Sequence, residues 1–375
     1  MRILFLTSSL APHFGGAAVS ESILSAELSK DNEVVVLSRR DRLDLDFATR
    51  QGIRKVIPFS PFSIFVAFLN PWHALNQEIK KAQIFHLNGH WFWENYFFAR
   101  LCYRYGVPYV LHPRGMLWVE YRRPIIKRIF NFILGNWIVA HASKVILLSE
   151  YEKNQVRGYP INDTNLTVIP NGISSVGIEP ELGFGPPYFL YLGRLEQRKN
   201  LEFLIQSFKT FHEKNPNFSL RLVGPVERNY DLVLENLVSR LNLGQSVFIE
   251  PAVYGAEKES LLRGATAVVY PAQGEPFGRT IFESFAAGTF CLVPNSSGGA
   301  EYVEKFAPTM LYPDHSEKVL AEKMGRLAEL SKDESKHAIE EASSWIKQNL
   351  AWPEITQRVL ETYQGVLNGQ KSILN

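Results

Sequence analysis

The chain has 375 residues, of which 46% are hydrophobic and 21% charged, with a formal net charge of +2. That length exceeds one ordinary core and suits two domains, and the composition is that of a folded chain rather than a disordered one. A near-neutral balance leaves nucleic acid without support as a partner, and two distant cysteines, Cys102 and Cys291, exclude a disulfide framework and fit a reducing compartment.

The opening stretch, Met1–Ser9, carries one Arg and then a short apolar run, which reads as a buried first strand over Ile3–Leu6 rather than a signal peptide. No run of about twenty apolar residues is present, so a transmembrane helix is not expected. A Gly15–Gly16 loop follows, then a helix over about 19–29 with Leu24 and Leu28 at helical spacing. Further strands are predicted at Val34–Leu37, Ile84–Leu87, Tyr109–Leu111 and Val145–Leu148. This alternation of strand and helix is that of a parallel, doubly wound sheet.

After Val168–Pro170 the pattern breaks. Asn171–Gly172 signals a turn, and the stretch to Pro187 holds Gly177, Pro180, Gly183, Gly185 and Pro186, a linker composition. Alternation then resumes, with strands at Tyr188–Leu192, Leu220–Val223, Val247–Ile249, Ala267–Tyr270 and Phe290–Val293, and helices at 200–214, 231–242, 256–263 and 279–287. The tail from Trp352 to Leu367 places Ile355, Val359, Tyr363 and Val366 on one helical face, behind Pro353 at its start. The expected organisation is a first Rossmann-like domain over 1–177, a second over 178–351, and a terminal helix over 352–375 that packs back on the first. Two such parallel-sheet domains would face a central cleft, with ligands at the carboxyl ends of their strands.

The loops after strands therefore carry the chemistry. Gly15 and Gly16 allow a phosphate or sugar to approach the backbone at the start of a helix; read alone they make an ordinary flexible turn. Gly193–Arg194 follows a strand, and Lys199 stands five residues on. Arg can fork onto phosphate oxygens and Lys supplies a point charge, which together would stabilise a departing diphosphate. The most informative string is Glu275-Pro276-Phe277-Gly278-Arg279-Thr280-Ile281-Phe282-Glu283, a loop that opens a helix. Gly278 permits close approach, the amides near Arg279 and Thr280 form a helix-start anion site, and Glu275 and Glu283 can accept hydrogen bonds from sugar and ribose hydroxyls. Ser297-Gly298-Gly299-Ala300-Glu301 adds a further strand-end loop. In the first half, His86, Asn88 and His90 follow one strand and His112 and Arg114 another, so these five are expected to face the acceptor. They lack the spacing and nearby Cys of a zinc site, and no metal is expected.

Taken in order, these pieces resemble glycosyltransferase family 4, whose members have the GT-B fold. The match comprises Gly15–Gly16, Ser149–Glu150, Ile169-Pro170-Asn171-Gly172, Gly193–Arg194 with Lys199, the Glu275 and Glu283 pair with seven residues between, Gly298-Gly299-Ala300-Glu301 and Trp352. The resemblance implies a retaining, metal-independent transferase that uses a nucleotide sugar, a UDP- or GDP-sugar, and no other cofactor. It implies that Arg194 and Lys199 hold the donor diphosphate, that Glu275 lies near the reacting carbon and that Glu283 binds the ribose hydroxyls. Many relatives have His where this chain has Arg114, and Asp where it has Ser174. Arg is a poor base at neutral pH, so the group beside the acceptor oxygen differs here.

The implied acceptor is a glycan or lipid-linked oligosaccharide of a surface polysaccharide or lipopolysaccharide. Between Tyr121 and Ala140, the cations Arg122, Arg123, Lys127 and Arg128 stand among Ile, Phe, Leu and Trp, the pattern of a basic amphipathic helix on an anionic leaflet or of a core-packed helix with a charged start. Pro58–Pro71 adds Phe59, Phe62, Phe65 and Phe68. A cytoplasmic chain, peripheral on the inner face of the membrane, fits these features. Two other functions fit the same scaffold. A sugar-nucleotide epimerase would form product without an acceptor, and a nucleotide-sugar or glycan-binding protein would bind without turnover.

Overall fold

Apolar side chains on both faces of a strand require cover on both faces, and that demand sets the architecture. The computed structural model describes residues 1–11, 14–70, 73–119, 123–174, 186–330 and 332–374. The first sheet contains β1 (Arg2–Leu6), β2 (Glu33–Arg39), β3 (Val56–Phe59), β4 (Ile84–Asn88), β5 (Tyr109–His112), β6 (Lys144–Leu147) and β7 (Leu166–Val168). Their order is β3-β2-β1-β4-β5-β6-β7, and neighbouring strands pair in parallel. Side chains alternate between two cores with the period of a strand. Ile3, Phe5, Val34 and Val36 enter one core, while Leu4, Leu6, Val35 and Leu37 enter the other.

Helices α1 (Gly16–Leu28), α2 (Leu45–Arg50), α3 (Pro61–Leu69), α4 (Ala74–Lys81), α5 (Trp93–Tyr105), α6 (Pro124–Phe130), α7 (Asn136–Ala140) and α8 (Glu150–Val156) join these strands. A π-helical turn, Asn131–Gly135, links α6 to α7 without a break. The second sheet contains β8 (Tyr188–Leu192), β9 (Ser219–Val223), β10 (Val247–Glu250), β11 (Ala267–Val269), β12 (Cys291–Pro294) and β13 (Leu311–Tyr312). It runs β10-β9-β8-β11-β12-β13, again with parallel pairings. Its helices are α9 (Leu201–His212), α10 (Tyr230–Arg240), α11 (Gly255–Gly264), α12 (Arg279–Ala286), α13 (Ala300–Val303), α14 (Glu317–Glu329) and α15 (Lys332–Asn349), and α16 (Trp352–Leu374) ends the chain.

The chain divides into two units. One is Met1–Gly172 with Trp352–Asn375, and the other is Ile173–Ala351. Ile355, Val359, Tyr363 and Val366 of α16 enter the core that also contains Ile3 and Phe5 of β1. A Cβ at Gly172 would run into the Trp352 ring, which explains why the Asn171–Gly172 turn needs glycine. The linker residues Gly177, Pro180, Gly183 and Gly185 lie outside the described residues, as do Pro71, Tyr121 and Arg122. Three strands lack a sequence signal: β3 contains Pro58 and lies at a sheet edge, where proline costs no ladder bond, and β7 and β13 are short.

Candidate functional site

In open parallel sheets a ligand crevice forms where the strand order reverses. In the second unit that point lies between β8 and β11, which are paired neighbours despite their separation in the chain. The Arg194–Lys199 loop leaves the carboxyl end of β8, and the Glu275 loop leaves that of β11. The two strings singled out in the sequence therefore meet at the reversal. Lys199 Nζ donates to Glu275 Oε2 at 2.6 Å, and an Arg198 amine lies 3.3 Å from the same oxygen. Burial pushes the Glu275 carboxyl up, but Lys199, Arg198 and Arg194 outweigh it and hold the group down at about 2. The carboxylate stays ionised, with its side chain 21% exposed.

The backbone around this pair is drawn tight. Thr280 Oγ1 donates to the Leu192 carbonyl at 3.1 Å, which ties the start of α12 to the end of β8. Gly298 N donates to the Glu275 carbonyl at 2.8 Å, so the Gly298–Gly299 loop braces the glutamate. Gly278 caps α12 with a φ of 74°, and a Cβ there would lie 2.7 Å from Ile281 Cδ1. No side chain caps the start of α12, and Ile281 N donates to the Gly278 carbonyl at 3.0 Å. One turn into the helix, Glu283 accepts from Arg279 at 2.9 Å and from Lys258 at 2.7 Å. Burial raises this carboxyl, and the two cations more than reverse that and lower it. Its oxygens retain lone pairs for hydroxyl donors.

Some side chains play parts that the sequence did not reveal. Phe277 is buried against Phe282 and Tyr302, with ring centroids at 4.5 and 5.7 Å, so it supports the loop from beneath. Arg198 and Lys258 join the carboxylates. Lys258 comes from α11, and nothing local in its sequence marks it. Gly224, at the end of β9, packs so close to Gly193 that any Cβ would strike the Gly193 carbonyl. Gly15 and Gly16 belong to the first unit, where Gly15 precedes α1 with a φ of 96°.

The five residues expected to face an acceptor do gather at the ends of β4 and β5, but they are buried. Arg114, with a φ of 51°, donates to Asn88 Oδ1 at 2.8 Å and to Asn171 Oδ1 at 2.6 Å, and its Nε lies 3.6 Å from Glu21. His86 meets the Tyr363 hydroxyl at 2.6 Å and stacks on Phe5. His90 meets Asn131 at 3.0 Å. Burial, with Arg114 adding to it, holds the His86 imidazole down at about 3; burial holds His90 down at about 4 against its Asn131 bond. His112 is held well below its ordinary value by burial, Arg114 and His86. These side chains hold the first unit together from inside and offer little surface to an acceptor. Glu152 shares that setting: burial raises it to about 7, although it accepts from the Leu148 and Gly115 amides at 2.7 and 2.6 Å.

Two parallel-sheet Rossmann-like units, with cations and carboxylates at a strand-order reversal, define a GT-B glycosyltransferase fold. Two family models divide the chain between them: residues 14–175 match Glycosyltransferase Family 4 and residues 179–345 match Glycosyl transferases group 1. The chain belongs to the family 4 glycosyltransferases. It is 30% identical over 131 residues to an uncharacterized glycosyltransferase of Methanocaldococcus jannaschii, covering 35% of this chain and 32% of that protein. It is 25% identical over 253 residues to the D-inositol 3-phosphate glycosyltransferase of Nocardiopsis dassonvillei, covering 60% and 57%. These matches thus span between about a third and three-fifths of the curated relatives' lengths. Among solved structures, Anabaena HepE in complex with UDP and glucose superposes with a TM-score of 0.78 at 21% identity, over 97% of this chain and all of that one, a likeness of fold.

Proposed function

We propose that the protein transfers a sugar, with retention of anomeric configuration, from a nucleotide diphosphate sugar to a glycan or lipid-linked acceptor. The observation that carries this reading is the Lys199–Glu275 pair at the end of β8 and β11, with Arg194 and Arg198 beside it and the start of α12 tied to the end of β8. In this reading the donor diphosphate lies against Arg194, Lys199 and the start of α12, and Glu283 takes the ribose hydroxyls. Glu275 holds the transferred sugar. The acceptor hydroxyl attacks the anomeric carbon on the face from which the diphosphate departs. The carbon–oxygen bond to diphosphate breaks, the new glycosidic bond forms, and the acceptor proton passes to a diphosphate oxygen. Arg194 and Lys199 stabilise the negative charge that grows on the leaving group, a role a metal ion would otherwise fill. HepE was solved with UDP and glucose, which favours uridine as the base over guanosine.

A screen of UDP, GDP, ADP and their sugar conjugates by thermal shift and calorimetry tests the donor assignment, because a ligand of the folded state alone raises apparent stability. Saturable stabilisation by one nucleotide class, lost in Lys199→Ala, is the expected result. Equal stabilisation of wild type and variant would remove Lys199 from the site.

A further inference from the structure

Helix α12 buries Ile281, Phe282, Ser284 and Phe285, and it gathers its polar side chains elsewhere. Arg279, Thr280 and Glu283 stand at the three- and four-residue spacing that places helix side chains on one face. Thr280 reaches the Leu192 carbonyl at the end of β8, so this face is the one turned toward the strand-order reversal. Glu283 meets a cation at each oxygen. Arg279, from the same helix, lies 2.9 Å from Oε1, and Lys258, from α11, lies 2.7 Å from Oε2.

The two cations do different work. The Arg279 contact follows from helix spacing, and alone it would hold the carboxylate along the surface of α12. Lys258 is under no such constraint. The positions three and four residues from it are Tyr254, Gly255, Leu261 and Leu262, so helix spacing offers it no carboxylate on α11. It reaches instead to another helix, and draws Oε2 away from the Arg279 side. Two donors from two helices fix both the place and the rotation of the carboxylate, and each oxygen keeps a lone pair for a hydroxyl. The Lys258 side chain is 29% exposed and that of Glu283 15%. A pair so near solvent adds little to the stability of the fold, whereas a fixed carboxylate is what recognition of a hydroxyl requires. Lys258 also opposes the burial that raises the Glu283 carboxyl, and so keeps it an acceptor.

We infer that Lys258 is a positioning residue of the donor site, holding Glu283 Oε2 where it receives a ribose hydroxyl. The inference rests on the donor placement proposed above, in which Glu283 takes the ribose hydroxyls. Calorimetry tests it with UDP and GDP, each beside its 2′,3′-dideoxy counterpart, on wild type, Lys258→Met and Lys258→Arg. Met keeps the apolar stem and removes the donor. Wild type should bind the ribose form of its nucleotide about tenfold more tightly than the dideoxy form, the lower end for a hydrogen bond to a charged group. In Lys258→Met this preference should shrink to about twofold through weaker binding of the ribose form alone, and Lys258→Arg should restore most of it. An unchanged preference in Lys258→Met, or an equal weakening of both forms, would overturn the inference and leave the donor site standing. A wild type that binds both forms alike would remove Glu283 from the ribose and Lys258 with it. A wild type that binds neither nucleotide would overturn the donor placement itself.

Discussion

At the ends of β4 and β5 the first unit seals Glu21, Arg114 and Glu152 away from solvent, whereas at the ends of β8 and β11 the second leaves Glu275 and Glu283 at the edge of it. Both units gather charge near the carboxyl ends of parallel strands. The difference lies in what the charges can exchange. Arg114 is 8% exposed and committed to Asn88, Asn171 and Glu21, so its interactions go into holding the chain together. Lys199 as a whole residue is almost as buried, at 9% exposed, but its side chain is 11% exposed against 2% for that of Arg114, and the Glu275 side chain beside it is 21% exposed. A parallel sheet thus presents strand ends either as a fastening or as a binding site, depending on whether the surrounding loops leave a gap.

The comparison breaks most readily at Arg114. Arg114→Ala leaves Glu21 buried without its cation, and a loss of about 3–5 kcal/mol in urea unfolding is expected. A loss no larger than that of a surface pair would mean the cluster is not structural. Glu275→Gln acts on the chemistry as well as on the fold: kcat/KM for sugar transfer should fall roughly 10²–10³-fold, and the urea midpoint should also fall because Lys199 and Arg198 lose the carboxylate they hold at about 2. Wild-type transfer by this variant would separate Glu275 from the chemistry.

His90 sharpens the contrast through pH. Its folded value is near 4 against an ordinary 6.5, so the unfolded chain takes up this proton first as pH falls. The stability it confers is complete above 6.5 and is lost as pH falls toward 4, about 3 kcal/mol in total. His90→Phe should flatten the pH dependence of unfolding in that window, and an unchanged slope would show the imidazole to be solvated. The smallest effect belongs to Gly278→Ala. A left-handed φ and a crowded Cβ together cost about 1 kcal/mol of stability, with weaker nucleotide binding measured by calorimetry. An unchanged affinity would show that the α12 start is not shaped for a ligand.

Much of this was legible before any coordinates. Strand–helix alternation marked both sheets except β3, β7 and β13, and the stripe of Ile355, Val359, Tyr363 and Val366 marked the buried face of α16. The Glu275–Glu283 string was readable because its chemistry is local: a loop, a glycine, a helix start and two carboxylates in succession. The burial of Arg114 was not legible, for the complementary reason. Its partners Glu21 and Asn171 are far away in the chain, and nothing near Arg114 shows that they enclose it. Lys258 escaped notice because a cation on α11 has no mark that distinguishes it from other surface lysines. The exposed face of α6 was ambiguous because an apolar stripe in sequence does not say which side it faces.

One further consequence follows from where α16 belongs. Ile173 N donates to the Leu350 carbonyl at 2.7 Å, so the second unit begins and ends side by side. It is a contiguous insertion within the first, whose core stays open until Tyr363 arrives to meet His86. Synthesis from the N-terminus therefore delivers every residue of the inserted unit before the last piece of the one that encloses it. The half that starts first on the ribosome is the half that finishes last, and it must wait with the inner ends of β1 and β4 uncovered.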